Sequence, residues 1–144
     1  MNDWIIKETG KALLVPPMEA IGFIYLITNL KNNKKYIGRK QFFSTTKKKL
    51  GKKAIAALQD KRKKHYQHIV KESNWRSYTG SNKVLNKEIE DTNPPLHKEV
   101  LRICYSKKSL NYWETYNLFL HNVLQDDKYY NSNIQGKFYA KDLI

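Results

Sequence analysis

The sequence predicts a mixed α/β (α+β) fold, a small three-stranded antiparallel sheet flanked by helices. Three observations carry that expectation. Residues 22–29, Gly-Phe-Ile-Tyr-Leu-Ile-Thr-Asn, form an apolar run rich in Ile, Phe and Tyr, the composition of a buried strand. Lys35-Tyr36-Ile37-Gly38 then returns after Leu30-Lys31-Asn32-Asn33. Asparagine tolerates the left-handed conformations of tight turns, so the two runs read as a hairpin. Farther on, Val100–Tyr105 repeats the strand composition between segments that carry helix signals.

Taken in order, residues 1–20 read as an irregular lead-in whose Trp4-Ile5-Ile6 and Leu13-Leu14-Val15 pack on the core. Residues 21–144 read as a single domain with a basic insertion at about 41–75. Within the insertion, Ser44–Lys53 reads as a basic loop, and helix formers from Ala54 to about Val70 predict a helix. Turn formers surround Trp75 and Tyr78. A short helix is expected from about Asn82 to Glu90, ended by Asp91-Thr92-Asn93-Pro94-Pro95, because proline cannot continue a helix. Ser109 is a candidate cap for a last helix running to about Leu124, with Trp113, Tyr116, Leu120, Val123 and Leu124 as its apolar stripe.

A chain of 144 residues is long enough for one domain with a real core. Its formal charge is +14. Residues 31–76 hold sixteen Lys or Arg and two acids, Asp60 and Glu72, so this segment carries the whole excess. A surplus concentrated in this way points to a polyanionic partner and a defined phosphate-facing surface. The single cysteine, Cys104, cannot form an internal disulfide, which points to a reducing, intracellular setting. One Cys and four His argue against a zinc site of the usual ligand set. No segment approaches the roughly 20 apolar residues of a membrane span, and no secretory leader pattern is present, so no membrane partner is expected.

Tyr25 and Tyr36 lie eleven residues apart on the two arms of the hairpin, within reach of each other across one face. Either alone reads as an ordinary strand aromatic. Phe23-Ile24-Tyr25 and Tyr36-Ile37-Gly38 together resemble, in order and spacing, the two signature triplets of the GIY-YIG nucleases. The resemblance continues through Trp75…Tyr78-Thr79-Gly80-Ser81, Tyr112-Trp113-Glu114 and Tyr129-Tyr130-Asn131, as in the small phage-type, Seg-like members, and spans roughly residues 21–134. Phe23 stands where the family has glycine, with Gly22 just before it. The family's arginine, about eight residues after the second triplet, falls here on Thr46. Three arginines are candidates in its place: Arg39 directly after the triplet, Arg62 with Tyr66 one helical turn later, and Arg76 beside Trp75. Arg62 is preferred for the catalytic role and Arg39 for a supporting one, with a solvated lysine-rich helix face as the ordinary reading of Arg62.

The resemblance implies a GIY-YIG-type endonuclease that hydrolyses phosphodiester bonds in DNA, homing-like or nicking, from a phage or mobile element in a bacterial host cell. It implies one divalent metal, Mg²⁺ or Mn²⁺, held by Glu114, with Asn131 fixing the geometry of the site. It also implies Tyr25 as general base and Tyr36 as a hydrogen-bond partner of the attacking water or the phosphate. A free phenol has a pKa of about 10, so a tyrosine base needs nearby cations. Arg39, Lys40 and the metal are expected to supply them. Gly38 lets the backbone approach closely. The candidate DNA contacts are Lys40, Lys47, Lys48, Lys49, Lys52, Lys53, Lys61, Lys63, Lys64, Trp75 and Arg76. Two other readings stay open: a nucleic-acid-binding module without catalysis, and a nuclease acting on RNA or branched DNA. Thirteen residues follow Asn131, so no separate recognition region is expected. Sequence preference is then expected from the basic insertion, from a second copy of the chain, or from a partner protein.

Overall fold

The computed structural model describes residues 3–57 and 66–143. The chain forms two compact units, one of residues up to Phe42 and from Asn74 onward, the other of Phe43–Ser73.

The first unit is built on a four-stranded sheet in the order β1-β6-β2-β3, where β1 is Trp4–Ile6, β2 is Gly22–Asn29, β3 is Lys34–Gln41 and β6 is Leu96–Cys104. The expected count was three. The additional strand is β1, which pairs parallel to β6 inside the stretch expected to be irregular. Three residues are too few to show a period, but Trp4 anchors them. Its ring is buried, and its Nε1 donates to the Trp75 carbonyl at 2.6 Å.

β2 runs antiparallel to both β3 and β6, with a register shift against β6 between Ile24 and Tyr25. Its continuous apolar run follows from burial on both faces. Phe23, Tyr25 and Ile27 point into a cluster with Trp4, Phe42, Trp75 and Leu85. Ile24 and Leu26 point the opposite way, to Ile37, Leu110, Leu118, Val123 and Ile134. The β2–β3 turn places Asn33 at φ 61°, the left-handed conformation that asparagine accepts.

β6 starts four residues earlier than its composition suggested. Leu96, Lys98 and Val100 alternate inward, and the lysine disguises the pattern. Lys98 is buried, its Nζ donating to the Arg76 carbonyl at 3.2 Å and lying 4.2 Å from the centre of the Trp4 ring. Burial lowers its pKa to about 8.

Helix α2, Lys83–Thr92, begins where Asn82 accepts a hydrogen bond from the Leu85 N–H, and ends at left-handed Asn93 before the two prolines. Helix α3, Lys107–Leu120, is capped by Ser106 rather than Ser109. The two serines form a reciprocal capping box in which Ser109 takes the N3 position. α3 also stops four residues short of Leu124, and its buried residues are Leu110 and Leu118, whereas Tyr116 and Leu120 are exposed.

The second unit contradicts the expected basic loop and long helix. Phe43–Lys49 is a strand, β4, paired antiparallel with β5, Tyr66–Glu72. Among the described residues of this unit only Lys52–Ala56 is helical, as α1, and the part of the expected helix over 58–65 lies outside the described residues. The helix formers pointed one way, but Tyr66, Ile69 and Val70 are β-type residues, and pairing with β4 prevails over propensity. Tyr66 therefore lies in a strand, and the helical i, i+4 argument that coupled it to Arg62 fails. Arg62, Lys61, Lys63 and Lys64 lie outside the described residues, as does the side chain of Tyr66. Two short strands, β7 (Asn133–Ile134) and β8 (Phe138–Tyr139), and a final 3₁₀ turn, Ala140–Leu143, complete the first unit.

Candidate active site

β3 lies at the edge of the sheet, and this decides which residues can meet. Across β2 and β3 the register pairs Tyr25 with Gly38 and Ile27 with Tyr36, so both tyrosines occupy one face. Their ring centroids are 6.2 Å apart. Ile37 and Arg39 point to the opposite face, where α3 packs. Arg39 Nε lies 3.7 Å from Glu114 Oε1 of α3. Around an edge strand the two faces are separated only by the width of one backbone.

Two glycines make that crossing narrow. A Cβ on Gly38 would collide with the Tyr25 hydroxyl, so the phenol passes directly over β3. Gly80, at φ +86°, packs against the ring of Tyr36, and a Cβ there would lie 3.0 Å from it and 3.3 Å from the Tyr25 hydroxyl. Ser81 follows, with its Oγ 3.1 Å from the Tyr36 hydroxyl. The Tyr78-Thr79-Gly80-Ser81 segment thus covers both phenols, with the Tyr78 ring edge-on to Tyr25 at 6.0 Å.

Asn131 closes the outer rim of β3. Its Oδ1 accepts the Ile37 N–H at 3.1 Å and its Nδ2 donates to the Ile37 carbonyl at 2.8 Å. The same segment bonds Lys35 twice: Lys35 N–H to the Lys128 carbonyl at 2.8 Å, and Tyr130 N–H to the Lys35 carbonyl at 2.7 Å. The open hydrogen-bonding groups of an edge strand are satisfied in this way. The Tyr130 hydroxyl donates to Glu88 at 2.6 Å and accepts from Asn29 and Asn32, which ties the segment to α2 and to the β2–β3 turn.

A cleft of about 600 Å³ opens over this rim, lined by Tyr36, Arg39, Glu114, Ser81, Lys83 and Asn131 among others. Tyr25 does not line it. Its side chain is 1% exposed and comes close only through its hydroxyl, past the two glycines. Burial raises the Tyr25 pKa well above the ordinary phenol value, and the charges of Tyr36, Tyr78 and Glu114 push the same way. Burial also raises Tyr36, against a lowering by its Ser81 hydrogen bond. For Glu114, 23% exposed in its side chain, burial raises the pKa while Arg39 lowers it. Burial thus shifts all three groups in the direction of their protonated forms.

The cations expected around the phenols point elsewhere. Lys40 Nζ sits 4.0 Å above the Tyr78 ring, and Arg39 faces Glu114. Arg76 stacks on Trp75 and donates from Nε and Nη2 to the Leu14 carbonyl. Of the three arginines considered, Arg39 is the one that lines the cleft among the described residues. Trp75 has no exposed surface, so it is a core residue rather than a platform for a base. Lys47, Lys48, Lys49, Lys52 and Lys53 belong to the second unit and are exposed there. Gly80 and Ser81 received no role from the sequence, although the Tyr-Thr-Gly-Ser wording was visible. A left-handed glycine against a ring gives no pattern until the strands are paired.

Among the described residues no group of three His, Cys, Asp or Glu side chains is placed to hold a metal. Glu114 stands as a single carboxylate on a polar cleft. That donor set fits Mg²⁺ or Mn²⁺, which keep their waters and bind through one or two carboxylates plus phosphate, and it does not fit a closed zinc cage. Among the described residues no helix is long and apolar enough to cross a membrane.

Neither a search among curated proteins nor one among solved structures gives a match. The family model described as "Putative endonuclease segE, GIY-YIG domain" matches residues 4–134. That span takes in β1, both triplets, Glu114 and Asn131, and with nearly the whole chain matched, this protein belongs to the SegE-type GIY-YIG endonucleases, a family of phosphodiester-cleaving enzymes.

Proposed function

We propose that the protein is a metal-dependent DNA endonuclease, nicking or homing-like, that serves a phage or mobile element inside a bacterial cell. The observation that carries the proposal is the convergence of Tyr36, Arg39, Glu114 and Asn131 on one cleft at the β3 rim, with the Tyr25 hydroxyl reaching the same strand. Phosphodiester hydrolysis needs a deprotonated water, positive charge for the pentavalent phosphorus, and help for the leaving oxygen. Glu114 is the residue to hold Mg²⁺ or Mn²⁺, which would supply Lewis-acid charge at the phosphate. Arg39, displaced from Glu114, adds a second positive charge beside it.

Tyr25 takes the proton of the attacking water, directly or through a second water, as the new P–O bond forms and the bond to the leaving oxygen breaks. Tyr36, oriented by Ser81, hydrogen-bonds that water or a phosphate oxygen. Asn131 positions Tyr36 and Gly38 by gripping the peptide groups of Ile37 between them. Because both phenols are held protonated in the free protein, the base becomes competent only as the entering cations lower its pKa. One such site cuts one strand, so a double-strand break takes two molecules of the chain, a partner protein, or two sequential nicks.

Supercoiled plasmid incubated with the protein and Mg²⁺ tests the reading. Nicking that Glu114→Ala abolishes, with DNA binding retained, is the expected result. Equal nicking by both proteins removes Glu114 from the chemistry. Binding without nicking by the unsubstituted protein returns the binding-module reading, and preferential cutting of RNA or of branched DNA replaces the substrate.

A further inference from the structure

The second unit has no role in the chemistry above, yet it holds an unusual surface. Every residue of β4, and Gln67–Glu72 of β5, is exposed. Two strands open on both faces are marginal in water, since among the described residues nothing covers their apolar side chains. The exposed apolar residues are also split. Paired residues share a face and successive residues alternate. Ile69 therefore lies on one face, while Phe43 and Val70 lie on the other. Among the described residues, that division leaves one exposed apolar side chain on the first face and two on the second. Charge is what the ribbon offers: Lys47, Lys48, Lys49 and Lys71 on the strands, and Lys52 and Lys53 just beyond β4.

The register sorts the polar groups. One face carries Ser44, Thr46 and Lys48 opposite Lys71, Ile69 and Gln67, with no acid among them. Glu72 lies on the other face. The acid-free face carries residue types that can read base edges: glutamine can pair bidentately with adenine, lysine with guanine, and a threonine methyl can pack on the thymine methyl. A two-stranded ribbon fits the roughly 12 Å major groove of B-form DNA, and seven residues at about 3.3 Å each run about 23 Å along it. The deep, narrow major groove of A-form RNA does not admit such an element.

We infer that the β4–β5 ribbon is a recognition arm that enters the major groove of duplex DNA, reading bases with Thr46, Lys48 and Gln67 while neighbouring lysines contact phosphates. The inference rests on DNA being the substrate, as proposed above. It gives sequence preference to a compact element inserted after β3.

The test uses the full chain carrying Glu114→Gln, so that bound DNA stays intact, in a selection from randomised duplexes. The expected result is an enriched base pattern that Gln67→Ala relaxes at one position, by about five- to a hundredfold in discrimination. Joint replacement of Lys47 and Lys49 by Gln is expected to weaken binding to all sequences and to reduce the slope of log affinity against log salt by up to about 2. Three results overturn the inference: no enriched pattern, a pattern unchanged by both Gln67→Ala and Thr46→Ala, or tighter binding to single strands or duplex RNA than to duplex DNA. Plasmid nicking by the unsubstituted protein is measured alongside. Nicking without base preference overturns the ribbon assignment alone. A ribbon-dependent preference without nicking overturns the nuclease reading alone.

Discussion

The β3 rim and the β4–β5 ribbon are consecutive in the chain and opposite in construction. At the rim, Tyr25 is almost wholly enclosed, Tyr36 and Glu114 are partly so, and Tyr36, Glu114 and Asn131 are each tied to a named partner. On the ribbon every described strand side chain is exposed. Enclosure fixes geometry and shifts ionisation, which chemistry at a single phosphorus requires. Exposure leaves long cationic side chains free to adapt to a surface much larger than any cleft. A substitution at the rim should therefore be felt in rate and fold, and one on the ribbon in binding.

The sharpest contrast is in turnover. Tyr25→Phe keeps the ring that packs against Trp4, Phe23 and Tyr78 but removes the proposed base, so cleavage should fall by about 10²–10⁴-fold with the melting temperature nearly unchanged. The unsubstituted rate should climb with pH through neutrality into the alkaline range, because the phenol pKa is raised. A rate flat in pH would remove Tyr25 as the base.

Stability comes next. Leu85→Ala, in the aromatic cluster, should cost about 2–5 kcal/mol in denaturant unfolding. Val70→Ala on the ribbon should stay within about 0.5 kcal/mol, and a large loss there would mean that the ribbon is packed against something. Gly80→Ala combines a left-handed backbone with contact against Tyr36, and should cost about 1–2 kcal/mol while slowing cleavage. The smallest effect concerns Glu114. Its raised pKa means that the folded protein holds its carboxyl proton more tightly than the unfolded chain does. That stabilisation is complete below the unfolded carboxyl range and is lost as pH rises through the folded value. Glu114→Gln removes the penalty present at neutral pH, so without metal its melting temperature should equal or slightly exceed that of the unsubstituted protein. A clear drop would show that the Arg39 contact outweighs burial.

The hairpin was legible because its signals are local: an apolar run, an asparagine turn and a return. The same locality misled in the insertion, where Lys, Ala, Leu and Gln suggested a helix and the pairing of β5 with β4 decided otherwise. β1 was hidden because three residues carry no period and their parallel partner lies more than ninety positions away. Tyr36, Arg39, Glu114 and Asn131 could be nominated from the order of the motifs, and they meet at one cleft. Their mutual placement could not be read, because it depends on β3 being the edge strand. The dependence on Gly80 and Ser81 could not be read for the same reason. Trp75 shows the converse: in a basic stretch it reads equally as a stacking platform or as a core residue, and it is buried.

The grip of Asn131 on Ile37 also bears on the order in which the chain can complete the β3 rim. Tyr25 leaves the ribosome more than a hundred residues before the amide that steadies its neighbour strand. A polypeptide that stops short of Asn131 carries both signature triplets and yet lacks the amide that closes the β3 rim.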